Sequence, residues 1–394
     1  MKIAVLTSGL LPVPALQGGA VENLIDYYLH FNEKEKLHEI TVISVMHQQI
    51  PPHFLKKNTN HTHYVHLRTD KNWYKIKRKL FGLSRKKTCY YNYYIEYYLY
   101  RALQLIKKND FDVIILENRP GYAEKVARAA PESRIVLHLH NDFLSPDIAD
   151  ASKIKSFLSS TITVSDYIKS RVDAVPPFKP SYTCYNGIDL DHFQSNGSIV
   201  ETRNKLQLAT DDFVVIFSGR LIPEKGVKEL LYAMQYLNDL NIKLLIVGGN
   251  FFGNDIAITD YMNDLHSFAE EYVDRIIFTG FRSYEEMPHL LKCADICVIP
   301  SIWEEPFSMS CVEAMASGLP LIVTRSGGMK ELVNEQCALI LDVSPDLPKR
   351  IADSILDLYD HREKRELMSV AAIERSKLFS KERYAGNFMQ LLDS

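Results

Sequence analysis

Nowhere in the 394 residues does an apolar run approach the roughly 18 that a membrane span requires. The opening MKIAVLTSGL carries one basic residue, but its apolar part is too short and too soon broken for a secretory leader, so it reads as a first β-strand. The six cysteines form no C-x-x-C pair, which excludes the common zinc and redox spacings and points to reduced thiols in a cytosolic protein. A net charge of −3 gives no ground for nucleic-acid binding. The glycine fingerprint G-x-G-x-x-G is missing after the first strand, which argues against hydride chemistry on a nicotinamide cofactor. The Asp189–Asp191 pair, a D-x-D spacing, falls in a hinge-like region rather than in a loop suited to bridging a metal and a diphosphate.

What is present describes a folded α/β chain. Hydrophobic residues make up 46% and charged residues 24%, and the length suits two domains rather than one core. Short buried-strand patterns at 2–7, 40–45, 112–116, 135–139 and 162–164 alternate with helical spacings. Prolines 176, 177 and 180 and the Asn186-Gly187 turn then break the chain. The same rhythm restarts with strand patterns at 213–217, 243–247, 275–279, 296–300, 321–324 and 338–341. We therefore expect a first domain at 1–180, a linker at 181–194 and a second domain at 195–379, each a Rossmann-like doubly wound sheet. Residues 47–63, with four histidines among prolines, read as a solvated loop. Residues 71–87 hold eight Lys and Arg, no acid, and interleaved Trp73, Tyr74 and Phe81. Two readings stay open there: a contact with an anionic membrane surface or a phosphate-bearing acceptor, and a solvated loop before an amphipathic helix.

The candidate chemistry gathers at strand ends. Arg220 and Lys225, in SGRLIPEKGV, follow a strand and lead into a helix, where two cations suit a diphosphate. Glu305 and Glu313 are carboxylates in a strand–loop–helix–strand stretch, and ligands bind beyond the carboxyl ends of such strands. Glu313 has a structural alternative, because Ser310 and Glu313 fit an S-x-x-E capping box; a helix starting at Ser308 would leave Glu313 inside it. Gly18-Gly19 stands before a helix, where backbone can approach a ligand. His140 ends a strand and is expected over the sheet edge, with His138 on the opposite face in the core.

Nine motifs in order resemble those of the retaining glycosyltransferases of family four. They are QGGA at 17–20, HND at 140–142, VSDYIKSRV at 164–172, YNGIDLDHF at 185–193, SGRLIPEKGV at 218–227, IVGG at 246–249, FTGF at 278–281, EEPFSMSCVEAMASGLPLI at 304–322 and SGGMKELV at 326–333. The resemblance implies a GT-B fold, two Rossmann-like domains facing each other across a cleft, the first for the acceptor and the second for a nucleotide-sugar donor such as a UDP-sugar. It implies that Arg220 and Lys225 bind the diphosphate, beside Gly219. Glu313 would bind the ribose, and Glu305 the sugar hydroxyls. The Phe307, Ser308 and Met309 backbone would lie near sugar and phosphate, with Gly280, Phe281 and Arg282 beside the base. Gly18 and Gly19 would line the diphosphate, and His140 would stand near the sugar. Ser308 departs from the family's usual glycine. The catalytic set implied is Glu305, His140, Arg220 and Lys225, with no metal and no cofactor. The helix at 380–394 is expected to pack back on the first domain.

The implied activity is retaining transfer to a glycan or lipid-linked acceptor in cell-surface polysaccharide or glycoconjugate synthesis, in the cytoplasm with a peripheral membrane contact through 71–87. Its alternatives are a nucleotide-sugar epimerase of the same fold and a non-catalytic sugar-nucleotide-binding or coat protein.

Overall fold

A computed structural model describes residues 1–16, 19–48, 50, 61–69, 93–194, 199–237, 240–249, 259–272 and 274–393, with backbone alone at 93–96. Gly18 and the basic segment 71–87 lie outside these residues. The chain divides into two compact units, Met1–Gly187 with Lys381–Ser394, and Ile188–Ser380.

Unit 1 is a seven-stranded parallel sheet. Its strands are β1 (Lys2–Leu6), β2 (Glu39–Val45), β3 (Thr62–Leu67), β4 (Val113–Glu117), β5 (Arg134–Leu139), β6 (Ser160–Thr163) and β7 (Ser181–Thr183), in the order β3-β2-β1-β4-β5-β6-β7. Central strands such as β4, VIILE, are buried along their whole length, as strands covered on both faces must be. The strand β7 lies inside the expected linker 181–194, and the division falls after Gly187. The end of the expected histidine-rich loop begins the edge strand β3, THYVHL, which pairs with β2 from Ile40↔Thr62 to Val45↔Leu67.

The helix Ala20–Glu35 buries Leu24, Ile25, Tyr28 and Leu29, one apolar stripe at helical spacing. It stops at Lys36, in a left-handed conformation (φ 57°). Asn32 closes that end by exchanging hydrogen bonds with the backbone of His38, 3.0 Å in each direction. The helix Lys381–Asp393 lies against it, burying Tyr384, Phe388, Met389 and Leu392; the Tyr28 and Phe388 rings stack at 4.5 Å.

Unit 2 is a six-stranded parallel sheet of β8 (Phe213–Ser218), β9 (Ile242–Val247), β10 (Ile276–Gly280), β11 (Ile296–Ile299), β12 (Leu321–Thr324) and β13 (Ala338–Leu341), in the order β10-β9-β8-β11-β12-β13. The strand order reverses between β8 and β11, as it does between β1 and β4 in unit 1. Such reversals open a crevice at the carboxyl edge where two loops part to opposite faces. Both units are therefore doubly wound and Rossmann-like.

Candidate active site

At the reversal in unit 2, the loop after β8 carries Gly219, Arg220 and the 3₁₀ turn Pro223–Lys225, and the loop after β11 carries Ser301 to Phe307. The two loops are joined by backbone: the Ile302 N–H donates to the Glu224 carbonyl at 3.0 Å. Lys225 Nζ donates to Glu305 Oε1, and Ser301 Oγ donates to the same oxygen at 2.7 Å. Glu305 is only 2% exposed, so its charge is held by a lysine and a hydroxyl rather than by water. An ammonium has three donors, so Lys225 has hydrogens left for a second anion.

Glycine makes this juxtaposition reachable. Gly226 has φ +67°, and a Cβ there would stand 1.9 Å from the Pro300 carbonyl oxygen. The close approach of the turn to the end of β11 therefore needs a residue without a side chain. A further tie comes from β12. The Gly328 N–H donates to the Glu305 carbonyl at 2.7 Å, and the Gly327 N–H to the Glu304 carboxylate.

The helix Met309–Ala316 settles the competition between caps. Ser308 is extended (φ −101°, ψ 103°), and its Oγ accepts from the Cys311 N–H at 3.3 Å. Ser308 is the N-cap, and Glu313 lies inside the helix rather than closing a capping box from Ser310. The Glu313 carboxylate has no hydrogen-bond or ion-pair partner among the described residues, and burial pushes it up to about 7. An acid raised above its ordinary 4.5 binds its proton more tightly when folded, so its contribution to stability falls as pH rises from about 4.5 through about 7. Glu313→Gln removes that penalty. Its melting temperature should exceed wild type by several degrees at pH 8, for about 2–3 kcal/mol, with the gap mostly closed at pH 5. Melting curves at the two pH values that ran parallel would contradict the burial assigned to this carboxylate.

Arg220 is exposed, with no partner among the described residues. Gly280 ends β10 at φ +70° with open space around it; Phe281 is exposed, and Arg282 pairs with Glu286 at 3.2 Å. Phe307 packs edge-on against Phe379, with centroids 6.0 Å apart. Unit 2 thus brings Lys225 and Glu305 into contact and sets Gly219, Arg220, Gly280 and Ser308 around the carboxyl ends of its strands.

In unit 1 the residues at the carboxyl ends of β4 and β5 form a buried polar cluster. Glu117 Oε2 accepts from His138 Nδ1 at 3.0 Å and from His140 Nε2 at 3.3 Å, and Glu117 Oε1 accepts from the Tyr28 hydroxyl at 2.9 Å. The expectation that His138 faces away from His140 is wrong: residues two apart in extended chain project to one side, and both rings reach the same oxygen. His140 does not stand open over the sheet edge either; it is 8% exposed, with Nε2 turned toward Glu117. Burial, then neighbouring His138, pulls His140 down to about 4. Burial works against the Glu117 charge, but His138 and the imidazole hydrogen bonds outweigh it and hold that carboxyl below its usual range. The three inner atoms lie within 4.8 Å of one another, a spacing open to a metal ion as well as to hydrogen bonds. Glu117 was missed in the sequence because its partners sit on the neighbouring strand. The accessible signal was the i, i+2 histidine pair at a strand end. Gly19 precedes the helix Ala20–Glu35 at φ 107°; a Cβ there would meet Glu22, whose carboxyl burial pushes up to about 7.

The family model for glycosyl transferases group 1 matches residues 198–375. The chain is 30% identical over 368 residues to the putative glycosyltransferase YtcC of Bacillus subtilis (strain 168), covering 90% of this chain and 82% of that protein. It is 28% identical over 407 residues to spore coat protein SA of the same organism, covering 100% and 99%. Among solved structures, Anabaena Alr3699/HepE in complex with UDP and glucose superposes with a TM-score of 0.75 at 23% identity, over the full length of both chains.

Proposed function

Since the chain belongs to the glycosyl transferases group 1 family and has its GT-B type of fold, we propose that it transfers a hexose from a nucleoside diphosphate sugar to a glycan or lipid-linked acceptor, with retention at the anomeric carbon. The observation that carries the reading is the Lys225–Glu305–Ser301 contact at the carboxyl edge of unit 2. In transfer the bond from the anomeric carbon to the diphosphate oxygen breaks. A new bond forms to the acceptor oxygen, whose proton is taken up by the departing diphosphate. Negative charge grows on the diphosphate, and Lys225 and Arg220 are the cations that stabilise it. Glu305, oriented by Lys225 and Ser301, takes the sugar hydroxyls, and Glu313 takes the ribose. His140 completes the proposed catalytic set.

A UDP-sugar is the donor class favoured, because a structural neighbour holds UDP and glucose. The basic residues 71–87 favour a lipid-linked or polyanionic acceptor and a membrane-surface location. If Lys225 and Arg220 neutralise the diphosphate, no metal is needed there, so we expect full turnover in excess chelator; dependence on added divalent metal would refute metal-free transfer. A panel of nucleotide sugars read by thermal shift identifies the donor, since a ligand bound only to the native state raises its stability. Turnover of that donor with and without acceptor then separates a transferase from an epimerase or a non-catalytic binding protein. A panel without any shift would overturn the donor assignment.

A further inference from the structure

Glu117 is a carboxylate with no exposure, placed among the rings of Tyr28, His138 and His140. A buried carboxylate is tolerated when its lone pairs are filled by donors. Here three donors converge, and that count has a consequence for the imidazoles. To donate to Glu117, a neutral His140 must carry its hydrogen on Nε2. The outer atom of that ring, Nδ1, is then a lone pair; it and His138 Nε2 are buried, with no hydrogen-bond partner among the described residues. The His140 backbone is held as well, its N–H donating to Asn118 Oδ1 at 3.1 Å. The Asn118 N–H in turn donates to the His138 carbonyl at 2.8 Å.

A metal bound at the three inner atoms is the competing arrangement. It would put hydrogens on the outer nitrogens, leaving two buried N–H groups without acceptors, whereas ligating histidines normally donate that hydrogen. Unfilled buried acceptors are tolerated more often than unfilled donors. The orphaned nitrogens therefore favour hydrogen bonds over a metal.

We propose that Glu117 is a positioning residue for His140: by accepting Nε2–H it fixes the ring as a single tautomer, whose Nδ1 lone pair is reserved for a substrate hydroxyl. This rests on the reading that His140 takes part in sugar transfer, and it extends that reading to a residue outside the family motifs. Glu117 acts only through the ring and touches no substrate.

The test starts with the wild-type protein labelled with 15N-histidine, in which two-bond nitrogen–proton correlations identify which ring nitrogen carries the proton; a His140→Gln spectrum assigns the signals. A single Nε2–H tautomer for His140 is expected, and a proton on Nδ1 in the wild type would overturn the proposal without any variant of Glu117. Stoichiometric metal in the purified protein would overturn it too. Glu117→Ala should lower kcat by roughly 10- to 100-fold, in the range for removing a group that orients a working imidazole, with little change in donor KM. Glu117→Gln should recover at least about tenfold over the alanine variant, because its amide oxygen can still accept Nε2–H while its NH2 faces a Tyr28 hydroxyl turned to accept. His140→Ala separates the two ideas. If it leaves kcat intact, the role of His140 fails. If it lowers kcat and Glu117→Ala lowers it again by the same factor in that background, Glu117 acts elsewhere and the positioning role fails. Where the alanine variant does not fold, the wild-type tautomer and the glutamine variant carry the test.

Discussion

Lys225→Ala should lower kcat by about 10²–10³-fold, the loss typical when a preorganised donor to a developing anion is removed. Two effects combine in that variant. On the proposed role of Lys225 the departing diphosphate loses a cation, and Glu305, 2% exposed, loses the ammonium that balances it. An uncompensated buried carboxylate also destabilises the fold, by about 3–5 kcal/mol in the worst cases. Stability and turnover can be separated by adding Glu305→Gln. The double variant should melt higher than Lys225→Ala alone, since the orphaned charge is gone, but it should not regain turnover. Glu305→Gln by itself keeps an acceptor for Ser301 Oγ and should impair transfer more than nucleotide binding. Steady-state kinetics with isothermal titration of the nucleotide distinguish the two. Near-normal kcat in Lys225→Ala would remove the residue from the leaving-group site.

The second large effect is expected where no side chain exists. Gly226→Ala should destabilise unit 2 by about 4 kcal/mol or more, which for point substitutions marks a specific steric cause. The φ of +67° already disfavours alanine, and the new methyl would fall 1.9 Å from the Pro300 carbonyl oxygen. That oxygen belongs to the backbone at the end of β11, so relief requires moving the turn that carries Lys225 away from the loop that carries Glu305. Activity should collapse with stability. Denaturant titration together with kinetics checks this, and an alanine variant with wild-type midpoint and kcat would mean that the two loops do not approach so closely.

How far the sequence revealed this arrangement depended on where each residue's partners lie. β8, FVVIFS, is buried along its full length, and an unbroken β-branched and aromatic run is legible without knowing its neighbours. β3, THYVHL, is an edge strand with half-buried residues and two histidines, so its composition resembles the polar stretch before it. The cations of the first loop and the carboxylates of the second could each be picked out by position. Their pairing could not, because Lys225 and Glu305 are 80 residues apart and meet through the β8–β11 adjacency, which no local periodicity encodes. The helix start was ambiguous because both Ser308 and Ser310 are good caps; the extended backbone at Ser308 decides it. His138 and His140 belong together by the two-residue period of a strand, which puts both rings on one side.

The return of residues 381–393 to unit 1 also governs the order in which the protein can be made. Unit 2 is one continuous stretch and can complete its sheet as soon as it leaves the ribosome. Unit 1 is not: the stripe of Leu24, Ile25, Tyr28 and Leu29 is covered by Tyr384, Phe388 and Met389, which are synthesised after all of unit 2. At ordinary elongation speeds this leaves a delay on the order of tens of seconds. Throughout that delay the nascent first unit presents an apolar helix face to water or to a chaperone, and the half made first is the half finished last.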